Sequence, residues 1–212
     1  MKYLITLFAA MWIAMPQLAA QEEIMLWRDV QEDCFAAVHP KQKMGIRDFA
    51  ESFAKAHAEL PLAQEIGEAL ESSKNREGIS FILDKNNGYL SLSYIESSFI
   101  KEAEMCYWNL PDGRQRFCVN IQDVNEDEVP VFLIAFYGYD KNEGVFCFEE
   151  VAGREEMMDN LQIWNENHNL FLPRKGKDIK WGRNNGDEPV GWYRYRGAEG
   201  FQLERVEEED DE

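Results

Sequence analysis

The feature that most constrains this chain is a change of hydrophobic period at Gly78. From there on, apolar and polar residues alternate in runs separated by clusters of turn-forming residues. "GISFILD" and "YLSLSYIE" flank Lys85-Asn86-Asn87-Gly88. "AEMCYWN" and "RQRFCVNI" flank Pro111-Asp112-Gly113, and "VPVFLIAFYGYD" and "VFCFEEV" flank Lys141-Asn142-Glu143-Gly144. Period-two runs joined by short Asn, Asp and Gly turns predict successive hairpins. The turn glycines are irregularly spaced, so the pattern is recurrent hairpin chemistry and not a true repeat.

The middle hairpin is specific enough to number. A Pro-Asp-Gly turn with glycine in the left-handed region closes Leu110 against Arg114. Counting outward pairs Asn109 with Gln115, Trp108 with Arg116, Tyr107 with Phe117 and Cys106 with Cys118. Opposed strand positions are close enough for their side chains to touch. A cross-strand disulfide between these cysteines would close a short loop and contribute roughly 3 kcal/mol in the chain-entropy account. If Leu110 and Arg114 form a hydrogen-bonded pair, so do the cysteines, whose Cα atoms then lie about 5.5 Å apart with unsettled side-chain directions. Buried free thiols, or pairing of either cysteine with Cys34 or Cys147, stay open as alternatives. The stretch has no Cys-x-x-Cys and no helix amino terminus to acidify a thiol. It also lacks zinc-ligand spacing to the three histidines.

Residues 24 to 75 read as helical. In "IRDFAESFAKAHAEL", Ile46, Phe49, Ala50, Phe53, His57 and Leu60 fall on one stripe. A histidine on that apolar face reads as a core residue and not as a catalytic one. Pro61 suits the first turn of a second helix carrying Leu62, Ile66, Ala69 and Leu70. Trp27, Val30, Cys34 and Val38 suggest a third helix over 24–38. Beyond the hairpins, "REEMMDNLQIWNENHN" fits either a short helix or a loop. Short strands are expected in "LFLPRKGKDIKWG", "VGWYRYRG" and "FQLERV". The expected fold is α+β: two or three amino-terminal helices on a mostly antiparallel meander of about seven to nine strands, open, barrel-like or a partial propeller.

The ends suggest export. Lys2, the apolar run Leu4 to Met15 and the small residues before Gln21 have the form of a secretory signal over 1–20, cleaved near Ala20. The apolar run is shorter than the roughly 20 residues of a spanning helix, so no transmembrane segment is expected after cleavage. A secreted or periplasmic location follows. No cysteine follows the cut site to carry a lipid, and no Asn-x-Ser/Thr acceptor occurs. One globular domain over 21–206 is expected, with a helical part over 21–77, a β part over 78–206 and a disordered acidic tail over 207–212. The formal net charge is −18, and loss of Lys2 makes it one unit more negative. Such a balance opposes nucleic-acid binding, which needs clustered Lys and Arg.

Chemical motifs are sparse. Asp123, Asn125 and Asp127 imitate the opening of a calcium loop, but Glu128 stands where the loop needs Gly and Ile134 where it needs Glu. An exposed acidic connection is the better reading, and no metal or cofactor is expected. There is no Gly-x-Ser-x-Gly elbow. Among 40 Asp and Glu residues an acid-base pair for glycoside chemistry cannot be named, so the catalytic residues are unknown. The exception to the acidic whole is Phe171 to Arg196, where seven basic side chains meet three acidic ones and Trp181, Trp192, Tyr193 and Tyr195 are interleaved. A strand through "WYRYR" puts Trp192, Arg194 and Arg196 on one face and Tyr193 with Tyr195 on the other. Trp181, Trp192, Arg194 and Arg196 are therefore the expected ligand-binding residues, since arginine beside aromatic rings suits anionic or sugar ligands. The bland reading is an ordinary aromatic core with neighbouring carboxylates neutralising the basic groups.

At "EMCYWNLPDGRQRFCVNI", "FYGYD", "LPRKGKDIKW" and "GFQLER", the chain resembles small exported proteins of unknown function from Gram-negative bacteria. The resemblance spans 78 to 206 and implies a periplasmic or exported bacterial protein; it implies no active site, substrate or cofactor. The functional expectation is an exported non-enzymatic binding or interaction domain with a glycan or protein partner. The alternatives are a hydrolase using an Asp/Glu pair, or a structural or inhibitory protein whose acidic tail engages a cationic partner.

Overall fold

The computed structural model describes residues 34–72, 78–96, 99–125, 131–163, 168–183 and 189–206. The expected signal segment, most of the expected 24–38 helix and the acidic tail fall outside them. Two helices, α1 (Ile46–Ala56) and α2 (Pro61–Ser72), follow a short strand at Cys34–Ala36 and precede all other strands, and α3 (Arg154–Ile163) separates the strands of the two sheets in the chain. The α1 stripe is the expected one: Ile46, Phe49, Ala50 and Phe53 are buried. Asp48 starts the helix by accepting the Gly45 N–H at 2.9 Å. His57, buried as expected, packs edge-on to Phe35 and against Phe53.

The three expected hairpins form the center of a seven-stranded antiparallel sheet. Its strands are β1 (Cys34–Ala36), β2 (Ile79–Asp84), β3 (Tyr89–Glu96), β4 (Phe99–Asn109), β5 (Gln115–Asn125), β6 (Val131–Asp140) and β7 (Val145–Phe148). The order is β1-β7-β6-β5-β4-β3-β2, a meander with β1 added beside its last strand. The β4–β5 register is the one counted from the turn, with Cys106 opposite Cys118 and Asn109 opposite Gln115. Gly113 takes φ 85°, a left-handed conformation that side chains disfavour, and Leu110 N–H donates to Arg114 O at 2.9 Å.

The carboxy-terminal strands do not extend this meander. The strands β8 (His168–Phe171), β9 (Ile179–Arg183), β10 (Pro189–Tyr195) and β11 (Phe201–Arg205) form a separate four-stranded antiparallel sheet, and neither sheet closes into a barrel. Helices α1 and α2 cover one face of the large sheet, burying Phe49, Phe53, Leu62 and Ile66 against Leu92, Met105, Phe117 and Tyr137. The small sheet and α3 cover the other face, with Met157, Leu161, Trp181 and Tyr193 against Trp108, Cys118 and Phe136. Three layers result, and the central one is buried on both sides. Hydrogen bonds tie its outer face to the small sheet: Trp108 Nε1–H to Lys177 O at 3.0 Å and Asn120 Nδ2–H to Leu170 O at 2.8 Å.

Two expectations are corrected. Residues 34–36 of the expected third helix are a strand, because Phe35 has its place in an aromatic cluster with Phe49, Phe53, Tyr137 and Phe146, and β7 offers a free edge. The disulfide joins Cys34 to Cys147, while Cys106 and Cys118 are buried free thiols. The ladder explains the choice. Ala37 N–H donates to Gly144 O, so by alternation Cys34 and Cys147 form a non-hydrogen-bonded pair, in which side chains approach most closely. Their Cα atoms are 4.0 Å apart. Cys106 and Cys118 occupy the wider kind of pair.

Unfolded without reductant, the chain should therefore expose two reactive thiols, and none while folded; four in the unfolded chain would contradict the pairing. Replacing Cys34 and Cys147 by alanine should lower the unfolding free energy by up to about 5 kcal/mol in the chain-entropy account of so long a loop, read from urea denaturation.

Candidate functional site

The four residues expected to bind a ligand do not share a surface. Trp181 is 1% exposed and belongs to the core between the sheets, with Arg205 over its ring at 5.8 Å. It is not available to a ligand on the outer face. Trp192, Arg194 and Arg196 do lie on that outer face, opposite Tyr193 and Tyr195, as the strand period requires. Arg194 is already paired there: it donates to Glu204 through Nε and Nη2 at 3.0 and 3.1 Å and to Asp178 through Nη1 at 3.0 Å. Its guanidinium also lies 5.3 Å from the center of the Trp192 ring. Arg196 donates to Gln202 at 3.2 Å, and Arg174 pairs with Asp84 at 2.9 Å. Carboxylates thus neutralise two of the seven basic residues, Arg174 and Arg194, and an anion at Arg194 would compete with Asp178 and Glu204.

A concave site lies elsewhere, where two hairpin tips meet. An open cleft of about 430 Å³ lies between the β4–β5 turn, the β6–β7 turn and the end of β7, lined by Gln42, Asp112, Arg114, Asn142, Phe148 and Glu149 among others. Local chemistry orders its walls. Arg114 donates to Asp112 at 2.7 Å and reaches Glu149 at 3.4 Å. Behind it, Arg116, 1% exposed, forks onto both Glu149 oxygens at 2.8 and 2.9 Å. Arg116 also donates to the carbonyls of Gly197 and Ala198, which ties the cleft floor to the small sheet. Burial alone would raise the Glu149 carboxyl, but the two arginines outweigh it and hold it below the usual range. The Arg114 backbone and side chain hold Asp112 down as well. The Cys34–Cys147 disulfide borders the same cleft. No spacing in the sequence marks this site, because its residues come from four separated segments.

One carboxyl is driven the other way. Glu104 is 6% exposed, and burial pushes it up to about 7, although the Tyr89 hydroxyl and the Leu172 N–H, at 2.7 Å, both donate to it. Facing it are Tyr89 from β3, Glu102 and Cys106 from β4, and Cys118 and Asn120 from β5. Burial raises Glu102 too. These groups sit between the sheets and do not line the cleft. Asp123, part of the calcium-loop imitation, pairs with Lys101 at 2.9 Å; Asp127 and Glu128 lie outside the described residues. Among the described residues no cluster of three or more His, Cys, Asp or Glu side chains is arranged to hold a metal, and no helix is long and apolar enough to cross a membrane. Comparison with protein families, curated proteins and solved structures finds no match to this chain.

The Glu104 environment sets a pH dependence. Its folded pKa is raised, so between 4.5 and about 7 the folded state holds a proton that the unfolded state has released. Stability should fall as pH rises through that window, by on the order of 3 kcal/mol from this group, and level off above it. Groups with depressed values, such as Asp84 at about 2, act in the opposite sense and only at lower pH. Urea denaturation across this range should show the decline in the native protein and a flatter profile in Glu104→Gln.

Proposed function

We infer that the protein is an exported, non-enzymatic binding domain that takes a glycan into the hairpin-tip cleft. The observation that carries this reading is the make-up of the cleft: planar polar side chains, Gln42, Asp112, Arg114, Asn142 and Glu149, beside the half-buried Phe148, whose ring also packs on the helix-side core and under Arg154. A sugar offers hydroxyls to such groups and an apolar C–H face to a ring. Arg114 is held by two carboxylates before any ligand arrives, which reduces the ordering cost of binding.

Hydrolysis by an Asp/Glu pair fits the cleft poorly. General acid catalysis needs a carboxyl that keeps its proton near neutral pH, and Asp112 and Glu149 are both held below the usual range. The carboxyl with a raised value, Glu104, is enclosed between the sheets. Export is supported by the disulfide, a bond that persists in oxidising compartments, together with the signal-like amino terminus. The basic aromatic strands are a weaker choice of site, given the ion pairs of Arg194, and the tail-mediated reading rests on residues 207–212 alone.

A panel of neutral and anionic oligosaccharides, screened by thermal shift and followed by calorimetry, should identify a binder. Gln42→Ala with Asn142→Ala, both at exposed positions, should weaken that binder by about tenfold, equivalent to ~1.4 kcal/mol. Trp192→Ala with Arg194→Ala should leave it unchanged. The reverse pattern would return the site to the carboxy-terminal strands, and a panel without any binder would remove the glycan reading.

A further inference from the structure

The seam between β4, β5 and β8 holds more polar chemistry than its packing uses. On the face of the large sheet that meets the small one, β4 presents Glu102 and Glu104, and β5 places Gln122 and Asn120 directly opposite them. Asn169 of β8 closes the seam from the facing sheet, its Nδ2 3.4 Å from Glu102 Oε2. Gln122 is 1%, Asn169 2% and Asn120 3% exposed. Yet both amide atoms of Gln122, Asn120 Oδ1 and Asn169 Oδ1 have no hydrogen-bond partner among the described residues. Native interiors rarely leave such groups unsatisfied, and a cluster of them on one seam calls for a bound species.

Charge identifies the species. Two carboxyls share the seam, and the hydrogen bonds they accept come from the neutral groups Tyr89 Oη–H, Leu172 N–H and Asn169 Nδ2–H. Buried carboxylates require a counter-charge or a proton. The unpartnered acceptors are the amide oxygens of Asn120, Gln122 and Asn169, and the carboxylates of Glu102 and Glu104 beside them each accept neutral hydrogen bonds while keeping further lone pairs. An oxygen-only set with two negative charges suits a hard cation and offers nothing to a thiol- or imidazole-seeking metal. We propose that this seam is an interior site for a hard divalent cation of the calcium type, held by Glu102, Glu104, Asn120, Gln122 and Asn169. Calcium takes roughly six to eight oxygens, so water entering past the half-buried Glu102 completes the shell. The site is distinct from the 123–127 stretch, since Asp123 points to the other face of the sheet and pairs with Lys101. It is also separate from the cleft, so its failure leaves the glycan reading untouched.

Calcium binding to the full chain is measured by calorimetry and thermal shift at physiological ionic strength, which suppresses diffuse binding to the acidic surface. One calcium per chain and a rise in thermal midpoint are expected. Glu102→Gln and Gln122→Leu, which keep size and shape, should each weaken binding by more than the roughly tenfold cost of losing a supporting partner. Neither should lower the midpoint measured without calcium. Asp140→Asn, at the exposed end of β6, should bind as the native chain does. Terbium gives a second readout, because the Tyr89 hydroxyl donates to Glu104 and its ring can sensitise a lanthanide there; calcium should quench that emission by displacement. Equal calcium responses in the native chain, Glu102→Gln and Gln122→Leu would assign the binding to surface carboxylates and overturn the proposal. No response at millimolar calcium would overturn it too, leaving water and protons to satisfy the seam.

Discussion

The register of β4 against β5 is the constraint on which the other layers depend. Both strands are buried on both faces, so each residue belongs to one of two cores according to the parity of its number. Ala103, Met105, Phe117, Val119 and Ile121 face the helices, while Cys106, Trp108, Cys118 and the polar residues Glu104, Arg116 and Asn120 face the small sheet. A slip of one residue would exchange the two sets and drive Arg116 and Glu104 into the aromatic cluster around Phe49. The Pro111-Asp112-Gly113 turn prevents this by fixing the closing pair Leu110 and Arg114.

The same parity explains why buried charge is tolerated on only one face. Arg116 could not be placed against α1, where its neighbours are Phe rings. On the opposite face it finds both oxygens of Glu149 and two carbonyls of the turn at 197–198. A buried pair of this kind contributes little net stability, but removal of one partner strands the other and costs several kcal/mol. Its effect is therefore positional: it fixes the cleft floor and the small sheet relative to β5.

Local signals in the sequence were strong enough for α1, α2, the three hairpins and the pairing of Cys106 with Cys118, because each rests on helical period, alternation or a turn. The separate small sheet was less legible, since its strands are short and the sequence does not state which sheet a strand joins. Strand β1 was read as helix. It has three residues, and its stability comes from Phe35 packing and from a disulfide across 113 positions, neither of which leaves a local trace. Local charge counting on the basic aromatic stretch leaves out Asp84 and Glu204, distant or later in the chain, which pair with Arg174 and Arg194. The cleft and the seam were both invisible because each assembles residues from separate strands and turns. A spacing rule built for one continuous loop, as at 123–134, cannot find oxygen ligands that are opposed across a sheet.

The disulfide and a cation-filled seam would suit the same surroundings. A bond between Cys34 and Cys147 is retained in an oxidising compartment. Calcium sites in extracellular modules work at about 10⁻⁴ to 10⁻³ M, far weaker than sites that must compete inside a cell. A site with only two carboxylates and three neutral amide oxygens, buried in a rigid sheet, belongs at that weak end, because each carboxylate replaced by an amide lowers the attraction for a divalent ion. Filling it would add a positive charge beside Glu102 and Glu104 and would fasten β8 to the central layer where Asn120, Gln122 and Asn169 carry unpartnered atoms. The position that looks like a defect in packing is thus the one where a cation would meet three unpartnered amide oxygens at once.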